Sequence, residues 1–284
     1  MEYSIKKDIT FIKEFLSLND SSFSESIGIP RSTLNNWNEN KTAISNTQLE
    51  KLYAFAYEKG IRLNATKEQM YIDRQKADTK ILFHGAKKDI EGIISVKHSK
   101  QENDFGQGFY LGESLYQSAS FVSTYPQSSI YVFEYHKNKN HKIIEYDISK
   151  EWMLTIAYNR GLLNKYKDSE IVKKLIDKTK YADVIIAPIA DNNMYQLIDN
   201  FVYGNSTDIQ CINCLSATDL GKQYVFLNDI VLKDLKMVDH FYLCGEEKND
   251  YIKEKNESNK IGVQKVRYAS REYAGKGKYI DQLL

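Results

Sequence analysis

The stretch ILFHGAKKDI, Ile81 to Ile90, decides how the chain is read. Ile81, Leu82 and Phe83 form a short apolar run of strand composition. His84 stands at its end, Gly85 follows, and the chain then turns polar. A glycine at a strand end lets a ligand or another piece of backbone come close. A histidine there either closes a buried hydrogen bond or faces a ligand. The decapeptide leaves both readings open, and the rest of the chain has to choose between them.

From Lys80 onward, strand-like and helix-like stretches alternate. KILFHGA, GFYLG, SIYVFEYH, HKIIEYD, ADVIIAPI, KQYVFLN and KMVDHFYLC are rich in β-branched and aromatic residues and read as strands. Between them SLYQSASFVSTY, SKEWMLTIAYNRGLL, SEIVKKLIDKT, NNMYQLIDNFVYG and DIQCINCLSATDL read as helices. A mixed α+β domain over residues 80–245 is expected.

Residues 1–64 read as helices only. Phe23 and Ile27 lie one turn apart, Gly28 breaks the pattern, and Pro30 opens a second helix at its first turn. Leu34 and Trp37 give that helix an apolar face. Helix, glycine turn and second helix make a helix-turn-helix pattern. It resembles small phage-repressor-like DNA-binding domains, with IPRSTLNNWNENK as the recognition helix and the loop after it. Arg31, Asn35, Asn36 and Lys41 are the side chains that would reach DNA. The segment holds eight basic and eight acidic residues, so its phosphate-binding footprint is weak, and a protein-binding module fits the same pattern. Residues 65–79 are polar and read as a linker or a short helix. Residues 246–284, with nine basic and seven acidic side chains, read as a mobile polar tail ending in a short helix near KYIDQLL.

Composition sets the outer bounds. Of the 284 residues 42% are apolar and 27% charged, which suits a packed globular protein. A net charge of +1 gives no general attraction to nucleic acid or to a membrane surface. No apolar run reaches the roughly 18 residues of a spanning helix, and charges interrupt the N-terminus where a signal peptide would be apolar. A cytoplasmic protein without membrane contact is expected. Cys211 and Cys214 form a lone CxxC, and Cys244 stands apart. A structural zinc site takes about four ligands. No second pair accompanies this one, so the two cysteines read as neighbours on a buried helix face and no metal is expected.

The chemistry-bearing residues fall in order along the second domain. After His84 and Gly85 comes DFGQGFYLGES, Asp104 to Ser114, in which Tyr110 follows Gly106 and Gly108. Phe121 lies eleven positions beyond Tyr110. Rings on a strand and on the helix after it can face each other across a slot that suits a flat heteroaromatic ring. The Gly85 backbone can bond an amide on that ring, and a histidine can bond a sugar hydroxyl. Last comes GKQYVFLND, with Gln223 at the start of a strand.

This order resembles the ADP-ribosyltransferase fold in its His-Tyr-Glu branch, shared by diphtheria-type toxins and poly(ADP-ribose) polymerases. The resemblance implies a split mixed β-sheet and NAD as substrate. On it, His84 contacts a ribose hydroxyl, Gly85 binds the nicotinamide amide, and Tyr110 and Phe121 hold the nicotinamide ring. Gln223 stands where the family has a glutamate that orients the ribose and supports a cationic transition state. Glutamine still accepts from a hydroxyl but carries no charge. Phe121, where a tyrosine is usual, keeps the ring and loses the hydroxyl. DFGQGFY, YNRG and ADVIIAPIADN are similar to stretches of a bacterial family of uncharacterised small transferases of this fold, many of them read as toxins with a neighbouring antitoxin.

Three further residues have two readings each. Arg160 clamps a pyrophosphate or the acceptor, or else is solvated or held in a structural salt bridge. Asp104 caps the glycine-rich turn or orients the acceptor. Asp191, with Asn192 beside it, caps a helix or takes a catalytic role, and capping is the reading preferred. The expected function is an NAD-dependent mono-ADP-ribosyltransferase, the toxin of a toxin–antitoxin or anti-phage system. It would modify a protein, RNA or DNA acceptor and release nicotinamide. Its helical N-terminus would bind DNA or the antitoxin. The alternative is a DNA-binding regulator whose degenerate transferase domain binds NAD or ADP-ribose without catalysis.

Overall fold

The structure is a computed structural model that describes residues 3–39 and 41–284. Met1, Glu2 and Asn40, the last of them inside the expected recognition segment, lie outside the described residues. The architecture is mixed α and β. The described residues form twelve α-helices and a mixed seven-stranded sheet. Its strands are β1 (Thr79–Ala86), β2 (Phe109–Gly112), β3 (Ser129–His136), β4 (Ile143–Glu145), β5 (Val184–Pro188), β6 (Lys222–Phe226) and β7 (Leu235–Tyr242). All seven fall in stretches whose composition predicts strand. Their order is β4-β5-β6-β2-β1-β3-β7. The chain divides into two compact units, neither of them one continuous stretch.

The first unit takes Met1–Ile90, Ser114–Tyr135 and Lys236–Glu254. Its helices are α1 (Ile5–Phe15), α2 (Asp20–Ile27), α3 (Arg31–Asn38), α4 (Asn46–Glu58), α5 (Leu63–Asp73) and α6 (Leu115–Val122). The expected pair of helices around Gly28 is α2 and α3. Asn19 caps α2 by accepting from the Ser22 amide at 3.0 Å, and Gly28 closes it at φ 63°. Ile5, Ile9 and Ile12 face Phe23, Ile27, Leu34, Trp37 and Leu52 in one core. A second core sets Leu115, Ala119 and Val122 of α6 against Ile81, Phe83, Ile130, Val132 and Phe241.

Residues 1–64 are not a unit of their own, and the expected boundary at residue 64 runs through a buried network. Lys67 Nζ lies 3.1 Å from Asp8 Oδ1 and 3.0 Å from Asp239 Oδ2. The Tyr53 hydroxyl donates to Asp8 at 2.6 Å and the Tyr71 hydroxyl to Asp239 at 3.1 Å. Buried carboxylates are tolerated only with such partners, so α1, α4, α5 and β7 are tied together. Most of the expected linker, residues 65–73, is helix α5.

The second unit takes Glu91–Glu113, His136–Leu235 and Lys255–Leu284. Here β4 and β5 run parallel, while β5–β6 and β6–β2 run antiparallel. Helices α7 (Lys150–Asn159), α8 (Glu170–Thr179), α9 (Asn192–Val202) and α10 (Asp208–Leu215) are capped by Ser149, Ser169, Asp191 and Thr207. Trp152, Ile156, Phe201 and Cys211 pack on Ile185, Ala187 and Val225 of the strands.

The stretch expected as a mobile tail is instead largely helix α11 (Gly245–Glu272), followed by α12 (Ile280–Leu283). Side chains such as Ile261, Val263 and Tyr268 are exposed along α11, so no apolar stripe announces it. Gln210 Nε2 anchors it by donating to the Ser270 carbonyl at 2.8 Å. Among the described residues no helix is long and apolar enough to cross a membrane.

Candidate functional site

The candidate residues are found in both units. Asp104, Tyr110, Arg160 and Gln223 belong to the second, and His84, Gly85 and Phe121 to the first.

In the second unit, strand register brings the first group together. Gly112 pairs with Gln223 and Tyr110 with Val225 across the antiparallel β2–β6 pair. Directly opposed residues and residues two apart point to the same face. Tyr110 and Gln223 therefore share a face, and a glycine stands opposite Gln223. Gly108 owes its identity to this pairing. A Cβ there would meet Val225 Cγ1 at 2.8 Å and the Phe226 carbonyl at 3.0 Å.

Asp104 is the hub. It is only 6% exposed. Gln223 Nε2 donates to its Oδ2 at 3.0 Å and to the Pro188 carbonyl at 3.2 Å. Arg160 Nη2 donates to Oδ1 at 2.8 Å and also to the Tyr195 hydroxyl, which itself donates to Oδ1. The Arg160 guanidinium stacks 3.8 Å over the Tyr195 ring. Asn159 Nδ2 donates to the Asp104 carbonyl at 3.2 Å. Burial holds the Asp104 carboxyl above its ordinary range, although Arg160 and Gln223 both favour its charged form. The Tyr110 hydroxyl donates to the Gly106 carbonyl at 2.7 Å and accepts from the Phe105 amide at 3.2 Å, which locks the turn carrying Asp104.

Arg160 thus forms the ion pair that its second reading foresees, and Nε remains a buried donor without an acceptor among the described residues. Asp104 does not cap its turn through its side chain; the carboxylate is spent on Arg160, Tyr195 and Gln223. Tyr195 and Pro188 were not foreseen. Tyr195 sits one turn inside α9, and nothing in NNMYQLIDN separates it from an ordinary core aromatic.

In the first unit His84 is half-buried on β1. Gly85 has a packing reason to be glycine, since a Cβ would meet the Ser118 carbonyl at 2.5 Å and Val122 Cγ1 at 2.9 Å on α6. On the same helix the Phe121 ring is 65% exposed, with Lys87 Nζ 5.8 Å from its centre. Arg31, Asn35 and Lys41 are exposed and Asn36 half-buried. Lys41 is paired with Glu39, and Arg31 donates to Ser21 Oγ at 3.0 Å.

Cys211 and Cys214 are buried neighbours on α10, with their thiols aimed at the Leu197 and Val266 carbonyls. A cleft of about 190 Å³ in the second unit is lined by Met194, Leu197, Leu220, Val263 and Arg267 and contains none of the Asp104 cluster.

Residues 80–237 match the family described as protein of unknown function (DUF3990). The match spans more than half of the 284 residues, and the chain belongs to that family. Comparison with curated proteins and with solved structures found no match.

Proposed function

We propose that this protein is an NAD-dependent mono-ADP-ribosyltransferase with a macromolecular acceptor, protein or nucleic acid, acting as the toxin of a bacterial toxin–antitoxin or anti-phage system. The observation that carries the reading is the shared face of Tyr110 and Gln223 on adjacent strands, a ring beside a hydroxyl acceptor. The donor set suits the substrate. Gln223 Oε1 can accept from a ribose hydroxyl, the exposed Phe121 ring can stack, and the unsatisfied Arg160 Nε suits an anion.

In this reading His84 bonds a ribose hydroxyl and the Gly85 backbone bonds the nicotinamide amide. Tyr110 and Phe121 hold the pyridinium. The glycosidic C–N bond breaks with both electrons going to nicotinamide. A lone pair of the acceptor forms the new bond to the same carbon, and the acceptor proton passes to solvent. Helices α2 and α3, with Arg31, Asn35 and Lys41 exposed, serve to dock an antitoxin or DNA.

The test is incubation of the full chain with NAD and measurement of free nicotinamide, repeated with His84→Ala and Phe121→Ala. Release that both substitutions abolish or strongly reduce supports the transferase. A wild-type chain that neither releases nicotinamide nor gains thermal stability from NAD ends the proposal.

The second reading, a regulator that binds NAD or ADP-ribose without turnover, is favoured by one observation. The carboxylate beside position 223 is already paired to Arg160. Stabilisation by NAD without nicotinamide release would select it.

A further inference from the structure

We propose that Asp104 is the positioning residue of this site: it fixes the Gln223 amide in one orientation and lends it the negative charge expected from a glutamate at position 223. The inference rests on the transferase reading.

An amide has two ends, and the surroundings of Gln223 allow one assignment. Nε2 faces two acceptors, Asp104 Oδ2 at 3.0 Å and the Pro188 carbonyl at 3.2 Å. Turned over, Oε1 would face both and repel both. Oε1 therefore points away from the pair, and among the described residues nothing donates to it.

The carboxylate is held as firmly on its other side. Oδ1 takes Arg160 and Tyr195, and Arg160 is stacked on Tyr195. Arg160 favours the charged form of Asp104 against the pull of burial and leaves Oδ2 to Gln223. An N–H donated to a carboxylate is a strong bond and polarises the rest of its amide. Gln223 Oε1 becomes a better acceptor than the oxygen of an isolated glutamine. A hydroxyl bound there is one side chain away from a fixed negative charge. Arg160 offsets that charge at longer range, so its effect on a developing cation comes through the direct Asp104–Gln223 contact and the polarised amide oxygen.

The arrangement explains the departure at position 223. A carboxylate at both positions would set two like charges about 3 Å apart in a buried place. One carboxylate and one amide are compatible whichever position holds which. In the exchange D104N/Q223E the same hydrogen bond runs in the opposite direction. The new amide oxygen at position 104 still accepts from Arg160 and Tyr195, while the bond to the Pro188 carbonyl and the direct ion pair with Arg160 are lost.

The experiment measures nicotinamide release from NAD by the full chain as wild type, D104N, Q223E and the double exchange, each confirmed folded by urea unfolding. D104N is expected to lower kcat by about tenfold to a hundredfold, the rate equivalent of about 1.4–2.7 kcal/mol of lost transition-state stabilisation. KM for NAD stays within about threefold, because Asp104 itself touches no substrate and acts only through Gln223. Loss of a purely structural residue would instead show as unfolding or as a changed KM. The double exchange is expected to recover most of kcat. Wild-type kcat in D104N overturns the inference, and so does a folded double exchange no better than D104N. A wild type that releases no nicotinamide overturns the transferase reading and this inference with it. An active wild type with an indifferent D104N overturns this inference alone.

Discussion

Replacing Gln223 by glutamate alone puts the geometry of the Asp104 cluster to a test that needs no substrate. The amide nitrogen donates to Asp104 Oδ2 at 3.0 Å and to the Pro188 carbonyl at 3.2 Å. A carboxylate there loses both bonds, about 1–3 kcal/mol each. It also meets the Asp104 charge at about 3 Å, a repulsion of about 5 kcal/mol at an effective dielectric of 20. Binding a proton relieves that repulsion. Protonating one carboxyl costs about 1.4 kcal/mol for each pH unit above its ordinary pKa, less than the repulsion it relieves, so the pair holds a shared proton above the ordinary carboxylate range.

The sign follows. The folded variant binds a proton that the unfolded chain has released, so its stability relative to wild type is highest near pH 4–5. That stability falls as pH rises toward the raised folded pKa, by about 1.4 kcal/mol per unit. Nearby Arg160 lessens the slope without reversing it. Urea unfolding of Q223E and wild type at pH 5, 6, 7 and 8 in one ionic strength reads this directly, and the added exchange D104N should flatten it. Parallel stability curves for Q223E and wild type would show that position 223 does not face a carboxylate, and the reasoning about Asp104 would fail with it.

Three other perturbations probe the rest of the molecule. Glu247 is buried and accepts from Asn64 Nδ2 at 2.8 Å, and burial pushes its pKa up to about 7. Its charged form therefore costs stability as pH rises from about 4.5 through 7, so Glu247→Gln should gain on wild type over that window by about 3 kcal/mol and no further above it; equal pH profiles in urea unfolding would refute this. Gly85→Ala drives a methyl into the Ser118 carbonyl and should cost about 1–3 kcal/mol in the absence of NAD; wild-type stability would mean that packing on α6 does not require the glycine. Phe121→Ala removes a ring that is 65% exposed, so unfolding stability should move by less than about 0.5 kcal/mol. The KM for NAD should rise about threefold to tenfold from lost stacking, and an unchanged KM would remove Phe121 from the proposed site.

The strands could be read from sequence because β-branched and aromatic runs mark them locally, and the capped helices because Ser, Thr or Asp precedes an apolar stripe. The α2–α3 pair was readable because Gly28 and Pro30 punctuate it at fixed offsets. What could not be read depends on distant partners. Lys67 meets Asp8 and Asp239 across 59 and 172 positions, so no local pattern shows that α1 and β7 belong together. Asp104 meets Arg160, Tyr195 and Gln223 across 56, 91 and 119 positions. In sequence it is an aspartate two positions ahead of a glycine, in a stretch that reads as an ordinary turn. Helix α11 escaped for the opposite reason: its long exposed face resembles a solvated tail, and its anchors, such as Gln210 to Ser270, lie on another element.

The long-range pairing makes the departure at position 223 a property of two positions, and that carries a final prediction for the family. If the amide at 223 is glutamine because position 104 is a carboxylate, the two positions are not free to vary separately. A relative with glutamate at the position of Gln223 should carry a neutral residue at the position of Asp104. One that retains the aspartate should retain an amide donor at 223. The position of Arg160 should follow the carboxylate, since a buried carboxylate without a cation is costly and a half-buried guanidinium without an anion less so. Aligned relatives read this off as joint frequencies at three columns, and co-varying positions of that kind report contact. Relatives with carboxylates at both positions, and no added basic residue beside them, would refute the exclusion. The two charges would then be tolerated, and the glutamine at 223 would need another cause.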